Sequence, residues 1–441
     1  MASSKSTTTL AEREKIVKLW ESKKSDSEIS QALKLSIATV RKWRRKYQKQ
    51  GRAGLASHMG RPATGALGQF SFEIRQALKE LRQKHAGWGP QTLRIELPRY
   101  LPNIKRCPSC PRIAVFLKEA GLSRQYEKHS ALPEPRAVKA SAVHEEWEMD
   151  AQGEQDVNGI GKVSIINIAD VISRLKVDSL PCLQQSHPDT AQYQFVLRRS
   201  FMTYGLPQRI SLDHDSVFIE PCSASPFPTS LHLWLMALGV EVRFIKKRPP
   251  VEHSLIERHH QTITAQALAG QTYQGKPDLQ KQLHKRLEFL NHDFPSGSLN
   301  GRAPLQAYPQ AKHSGRVYHW HQEETLLDLS HVYNYLAHGK WFRLVSPQGQ
   351  ISLAGQRYGI GTPFKKKTLE ITFDPTTLQF VAISDDATQT IQFPPMGLTK
   401  QDLMGELALG VALPACQLPL PLSPQTARQT LLFQAHSATT L

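Results

Sequence analysis

Arg248-Pro-Pro-Val-Glu-His-Ser-Leu-Ile-Glu-Arg-His-His-Gln-Thr-Ile263 is the stretch around which the rest of the sequence is organised. Two prolines fix the approach to a helix, because proline fits a first turn and is excluded from an interior. Beyond them Ile256, His260, Ile263 and Ala267 recur at three- and four-residue intervals and predict an inward stripe. Glu257 stands beside that stripe, with Gln261 and Thr264 on its own face. Taken alone, a glutamate on an amphipathic helix is most often solvated. Asp150 and Asp213, each near the end of a strand-like run upstream, give Glu257 its interest.

Working outward, Trp147–Gln152, Val163–Ala169 and Arg174–Leu180 read as three strands, with turn signals at Asn158-Gly159 and Ile172-Ser173. A helix over Asp189–Tyr204 closes at Gly205, and Arg209–Leu212 is a short apolar strand. Ser230–Leu238 is a helix, Val240–Ile245 a strand, and the opening stretch supplies the next helix, followed by Lys276–Asn291. The order β-β-β-α-β-α-β-α predicts a mixed sheet with helices on its faces, an α/β core over 140–310. From Phe342 the pattern becomes short strands and turns: Phe342–Ser346, Gln350–Ala354, Thr368–Phe373, Gln379–Ser384 and Gln389–Phe393. That spacing predicts a small C-terminal β-barrel over 325–396. The Pro-Leu-rich stretch 405–441 is expected to be a disordered tail.

The chain before the core is helical. Leu10–Ser22, a short helix capped by Ser25 or Asp26, and Ile37–Gln50 make a helix-turn-helix unit over 8–52. Arg41, Lys42, Arg44, Arg45, Lys46 and Lys49 lie on the third helix with no acid among them, while Val40, Trp43 and Tyr47 face inward. An acid-free basic helix after such a turn suits the major groove, with base edges on one side and phosphates on the other. A basic linker, 53–70, contains Gly60-Arg61-Pro62; it either follows a minor groove or merely spans two domains. Thr39, Arg41, Lys42, Arg44, Arg45, Lys46, Arg61 and Arg258 are the candidate DNA contacts. A second helical trio over 71–129 comprises Phe72–Lys84, the Trp88–Leu97 stretch with Pro90 in a first turn, and a helix closing at Gly121. Its Cys107-x-x-Cys110 pair lacks the two further ligands that a zinc site needs.

Composition agrees with such a chain. Its 441 residues suffice for two to four domains, and 55 Lys and Arg against 38 Asp and Glu leave a net charge of +17. Between Met1 and Pro62 stand 15 basic and 5 acidic residues, so more than half of the excess lies at the front. Strong basicity without a lipid-anchoring signal points to nucleic acid before membrane. Five cysteines spread over several domains argue against a disulfide framework. No apolar run of spanning length occurs, and the N-terminus lacks the apolar core of a signal peptide. A cytoplasmic, nucleoid-associated protein is expected.

Strands one and four can be neighbours in the predicted sheet, which would bring Asp150, Asp213 and Glu257 together. Converging carboxylates repel one another unless cations neutralise them, and oxygen ligands suit Mg²⁺ or Mn²⁺. Two such ions about 3.5–4 Å apart activate a water or sugar hydroxyl and stabilise the leaving oxygen in phosphodiester displacement.

On Trp147-Glu-Met-Asp150, Ala169-Asp-Val-Ile-Ser-Arg174, Leu212-Asp213 with Ser216 and Phe218, and Ile256-Glu257-Arg258-His259, the chain resembles the DDE transposases of bacterial insertion elements. Their ribonuclease-H-like catalytic domain is similar to that of retroviral integrase. Asn291 with Ala303-Pro304 resembles the segment after that core, and Gly51, Leu55 and Gly60-Arg-Pro62 the linker after the first helix-turn-helix. The resemblance covers roughly residues 10 to 395. It implies that Asp150, Asp213 and Glu257 are the catalytic, metal-binding triad of a DNA transposase holding two Mg²⁺ or Mn²⁺ ions. It further implies 3′-end cleavage and strand transfer on double-stranded DNA, a homo-oligomer on that DNA and an accessory transposition protein as a possible partner. Two departures stand out. Asp213-His-Asp215 replaces the family's Asp-Asn-Gly, which makes Asp215 a rival second carboxylate, although Asp213 ends the apolar run. His253-Ser254 replaces the Asn-Gly that precedes the glutamate. The rival functions are a catalytically inactive DNA-binding regulator and, less favoured, a metal-dependent nuclease without strand transfer.

Overall fold

Three short helices, each opened by a hydroxyl cap, build the first of two units into which the chain divides, Met1–Ser71; the second is Phe72–Leu441. The computed structural model describes residues 8–55, 65–123, 140–183, 187–213, 217–218, 225–245, 254–353, 355–384 and 389–405. The stretch expected to be a disordered tail lies outside them from residue 406 onward.

In the first unit α1 (Leu10–Glu21) and α2 (Asp26–Leu33) begin at capping boxes. Thr9 and Ser25 accept from the amides of Glu12 and Glu28, whose carboxylates return to the cap N–H groups. Lys34 takes a left-handed φ of 51°, which makes the turn, and Ser36 caps α3 (Ile37–Gln50). Ile16, Val17, Ile29, Val40, Trp43 and Leu55 close into one small core. Arg13 is buried in that core: its guanidinium lies 4.0 Å from the Trp43 ring centroid and donates to the Leu55 carbonyl at 2.9 Å.

The second unit is organised by a five-stranded sheet of order β3-β2-β1-β4-β5. β1 (Glu146–Val157), β2 (Gly161–Asp170) and β3 (Lys176–Leu183) run antiparallel in succession. β4 (Arg209–Leu212) and β5 (Glu241–Phe244) add parallel strands beside β1. β3 starts two residues later than the sequence pattern predicts, because Arg174 sits in a left-handed turn with φ 61°. One face, through Trp147, Met149, Ile166 and Ile168, packs on α7 (Thr190–Tyr204) and α8 (Ser230–Ala237). Through Val157, Val163 and Ile165 the other face packs on α10 (Lys276–His292) and on the helix α9 (Ser254–Ile263) with its π-helical continuation Thr264–Leu268. Covered on both sides, β2 is buried without a break from Val163 to Asp170, with Ser164, Asn167 and Asp170 as its polar members.

The second helical trio, α4 (Phe72–Lys84), α5 (Pro90–Tyr100) and α6 (Cys110–Glu119), is docked on this core. Gly87 approaches the π-helical segment so closely that a Cβ there would lie 1.8 Å from the Ala265 carbonyl oxygen. Trp88 Nε1 donates to the Gln266 carbonyl at 3.1 Å, and the Gln266 side chain donates to Thr92 Oγ1 at 2.8 Å. Arg286 of α10 completes the joint, donating at 2.7 Å to both Glu96 and Gln266.

The expected β-barrel is not confirmed: the described strands form one antiparallel sheet and a hairpin. β6 (Trp341–Leu344), β9 (Thr368–Asp374), β10 (Gln379–Ser384) and β11 (Thr390–Phe393) form an open antiparallel sheet of order β11-β10-β9-β6. β7 (Gln350–Leu353) and β8 (Gln356–Gly359) make a separate hairpin. The hairpin and the core both pack on the sheet's apolar side: Tyr358 of β8 lies 4.9 Å from Phe393 and 6.1 Å from Phe380, ring to ring. Phe227 lies 4.8 Å from Trp341 and 5.9 Å from Phe380, ring to ring, and Ile371 and Phe373 join the cluster that holds Trp147.

A buried carboxylate ties the α-helical side of this core together. Glu323 accepts from Arg198 Nε at 2.7 Å and Nη2 at 2.8 Å, from Trp234 Nε1 at 2.7 Å, and from the Tyr318 hydroxyl. Replacing Glu323 by Ala leaves the Arg198 guanidinium buried without its counter-ion, a loss of about 3–5 kcal/mol. Calorimetry of Glu323→Ala will show the thermal transition of the second unit lowered and that of the first unit unmoved.

Candidate active site

Alternation along β1 turns its chemistry to one face. Trp147 and Met149 enter the core, so Glu146, Glu148, Asp150 and Gln152 point the other way. There α9 and its π-helical continuation meet the strand rung by rung. Glu148 Oε2 accepts from the Ile256 N–H at 3.3 Å, Asp150 Oδ2 lies 3.9 Å from His260 Nε2, and Gln152 Nε2 donates to Thr264 Oγ1 at 2.7 Å. Two strand residues advance about 6.7 Å and four helical residues about 6 Å, so strand and helix keep step over these rungs. The first rung is buried, with Glu148 only 2% exposed. A carboxylate there satisfies a first-turn amide and meets the positive end of the helix dipole.

The parallel partner of β1 sets the second aspartate. Trp147 pairs with Ile210 and Glu148 with Ser211. Beyond the last of these pairs Asp150 continues β1, and Asp213 follows the end of β4. On the other flank Asp150 faces Asn167 of β2, which faces Ser179 of β3. Asn167 is fully buried, and its Oδ1 accepts from Ser179 Oγ at 2.6 Å. A polar row therefore crosses three strands and ends at Asp150.

The adjacent row is Lys176, Ala169 and Glu148. Burial pushes the Lys176 ammonium down to about 8, with Arg174 and Arg258 lowering it further and Glu148 raising it. Asn291 of α10 holds the Lys176 backbone from both sides, accepting from its N–H at 2.8 Å and donating to its carbonyl at 2.9 Å. Fully buried His259 lies within electrostatic reach of Lys176, and desolvation keeps its imidazole neutral, well below the usual range. Neither of its ring nitrogens has a hydrogen-bond partner among the described residues.

Glu257 is exposed on α9, one turn before His260. The structure thus sets Asp150 on β1 and Asp213 just after its parallel neighbour β4, and carries Glu257 on the helix whose His260 approaches Asp150. Among the described residues no three His, Cys, Asp or Glu side chains gather into a metal-holding group. Carboxylate oxygens such as those of Asp150, Asp213 and Glu257 are the ligand type a hard divalent cation takes. Asp215 lies outside the described residues. Glu148, Asn167, Lys176 and Asn291 were missed by sequence reasoning; for Glu148 the signal was present in the alternation Glu146, Glu148, Asp150. Cys107 and Cys110 bond to α5, through the Arg94 carbonyl and Gln91 Oε1, each at 3.4 Å.

On α3 the candidate DNA contacts divide. Arg44 is held by Asp26 at 2.6 Å and Arg41 reaches the same carboxylate at 3.4 Å. Thr39 shares a 2.8 Å hydrogen bond with Ser36. The Lys42 and Lys46 ammonium groups lie 5.4 and 4.9 Å from the Trp43 ring centroid. Lys42 and Arg45 are exposed, as is Arg258 on α9, and Arg61 lies outside the described residues.

Two families match the N-terminal region, one described as a helix-turn-helix domain over residues 12–63 and one as a homeodomain-like domain over residues 39–107. Among solved structures, the catalytic core domain of BIV integrase aligns with 38% of this chain and 95% of its own, at 14% identity and a TM-score of 0.28. The simian T-cell lymphotropic virus intasome in complex with PP2A regulatory subunit B56 gamma aligns with 72% of this chain and 96% of its own, at 11% identity and a TM-score of 0.32. The HTLV-2 integrase catalytic core domain in complex with magnesium covers 37% of this chain and 96% of its own, at 13% identity and a TM-score of 0.28.

Lys176 gives the core a pH signature. Its folded value of about 8 lies below the ordinary 10.5, so between these values the unfolded chain binds more protons and stability rises with pH. Urea midpoints of the core at pH 8 and pH 10 will show that rise in the native chain and a smaller one in Lys176→Met.

Proposed function

We propose that this chain is a DNA transposase of the integrase-like DDE class, which binds element ends through its helix-turn-helix region and joins them to target DNA. The observation that supports this reading is the parallel pairing of β1 with β4, in which Asp150 and Asp213 each follow the last pair, Glu148 with Ser211, by two residues, while Glu257 lies on the helix that meets β1. Asp150, Asp213 and Glu257 would hold Mg²⁺ or Mn²⁺, two ions per site. Bound there, such ions activate a water or 3′-hydroxyl nucleophile and offset the charge on the leaving oxygen.

The chain's own residues do the positioning. Glu148 tethers the first turn of α9, and the Asn167–Ser179 row backs Asp150, so the aspartate pair is held on rigid strand ends. Glu257 is exposed on a helix turn, and rotation about its side-chain bonds is the freedom through which a third carboxylate would close on the pair. Arg174, Lys176 and Arg258 lie within electrostatic reach of one another beside these acids and supply positive potential for a phosphodiester backbone. Joining two ends to one target requires two such centres, hence a homo-oligomer assembled on DNA.

In a strand-transfer assay on pre-cleaved element ends with Mg²⁺ or Mn²⁺, Glu257→Gln will lower joined product by about three orders of magnitude while duplex binding is unchanged. Asp213→Asn will do the same and Asp215→Asn will not. Silence of the native chain despite tight binding would instead favour a catalytically inactive DNA-binding regulator or the need for an accessory protein. Lys42→Ala and Arg45→Ala will each reduce the slope of log affinity against log salt by about one, read by fluorescence anisotropy on duplex DNA.

A further inference from the structure

We propose that Arg41 is a base-reading residue of the first unit, taking a guanine in the major groove of duplex DNA, and that Asp26 is the positioning residue that directs it. The inference rests on the DNA-binding reading above and carries it from charge to sequence. Its basis is one carboxylate shared by two arginines of α3. Asp26 Oδ1 accepts from Arg44 Nη1 at 2.6 Å, and Oδ2 accepts from Arg41 Nε at 3.4 Å. The two arginines are not equivalent. The Arg44 side chain is 26% exposed and that of Arg41 58%, so Arg44 closes the contact between α2 and α3 while Arg41 stands out from it. The Arg41 contact is the longer one, an ion pair that steers the side chain rather than a bond that occupies it.

A guanidinium steered through Nε keeps both Nη groups available, and their N–H bonds match the O6 and N7 acceptors of guanine. An arginine loses rotamer freedom when it binds, and a counter-charge on the protein takes part of that loss in advance. The rest of α3 is suited to other work. Lys42 and Lys46 lie near the Trp43 ring, and Arg45 is exposed; such cations serve backbone phosphates, which ask for charge more than direction. Ile37, one turn before Arg41, is 40% exposed and stands outside the small core, and Ala38 is exposed beside it. This uncharged first turn offers nothing to a phosphate and suits the groove, where the N-terminal residues of a recognition helix meet base edges. A carboxylate on the same surface repels phosphate. Asp26 therefore lowers non-specific affinity while favouring the guanine contact.

The test uses the full chain and a pool of random-sequence duplexes, from which bound sites are selected and sequenced. Fluorescence anisotropy then compares each selected guanine with 7-deazaguanine, which lacks the N7 acceptor. In the native chain at least one such exchange should weaken binding about tenfold. Arg41→Lys, which keeps the charge and loses the fork, should abolish that sensitivity at the same position. Asp26→Asn, checked for folding by circular dichroism, should bind the selected site about threefold more weakly yet bind random duplex as well as the native chain or better. A 7-deazaguanine effect that survives Arg41→Lys, or no effect at any guanine, overturns the role of Arg41 and leaves duplex binding standing. Equal weakening of selected and random duplex by Asp26→Asn makes Asp26 merely structural and overturns its positioning role. Absence of duplex binding by the native chain overturns both this inference and the reading beneath it.

Discussion

A strand and a helix that advance at nearly the same rate per contact hold the candidate site together. Along β1 every second residue faces α9, and along α9 every fourth residue faces β1. The steps of about 6.7 and 6 Å keep Glu148, Asp150 and Gln152 opposite Ile256, His260 and Thr264. The mismatch accumulates slowly, and the third rung falls at Thr264, where the π-helical segment begins. A π-turn inserts an extra residue into the helical repeat, so the chain beyond Thr264 turns Gln266 towards the second helical trio.

That trio and the C-terminal sheet are parts of the core's packing. Trp88, Thr92 and Glu96 fasten the trio to Gln266 and Arg286 through buried polar contacts, each with a partner, so the joint is specific in register as well as apolar. The C-terminal sheet shares a single hydrophobic cluster with Trp147 and Phe201, and through Phe227 it packs against the segment between β4 and α8. A change in either appendage is therefore felt by the elements that carry Asp213 and Glu257.

Much of the frame was legible in the sequence. Alternation in Trp147-Glu-Met-Asp150 separates core from site residues, the apolar run Arg209–Leu212 ends at Asp213, and the three- and four-residue spacing after Pro250 marks α9. Other features were not. Asn167, Lys176 and Asn291 have no local pattern that distinguishes them, because each acquires its role from a strand or helix remote in sequence. On α3 the sequence shows six basic residues, yet only folding reveals that Arg44 is engaged by Asp26 across the helical turn. The C-terminal strands predicted a barrel because their spacing suits closure. The described strands form a sheet and a hairpin that pack on each other and on the core, and closure into a barrel is not confirmed.

By itself, then, the sequence determined what local periodicity can encode: helix and strand identity, the basic front, and which acids stand at strand ends and helix edges. Only the tertiary structure decided which strands are neighbours, that Glu148 registers with Ser211, that His260 approaches Asp150, and that the trio seats on the π-helical turn. The reason is physical. Periodicity of 2 or 3.6 residues reports which side of an element is buried, whereas register between elements is selected by the packing of side chains that lie far apart in the chain.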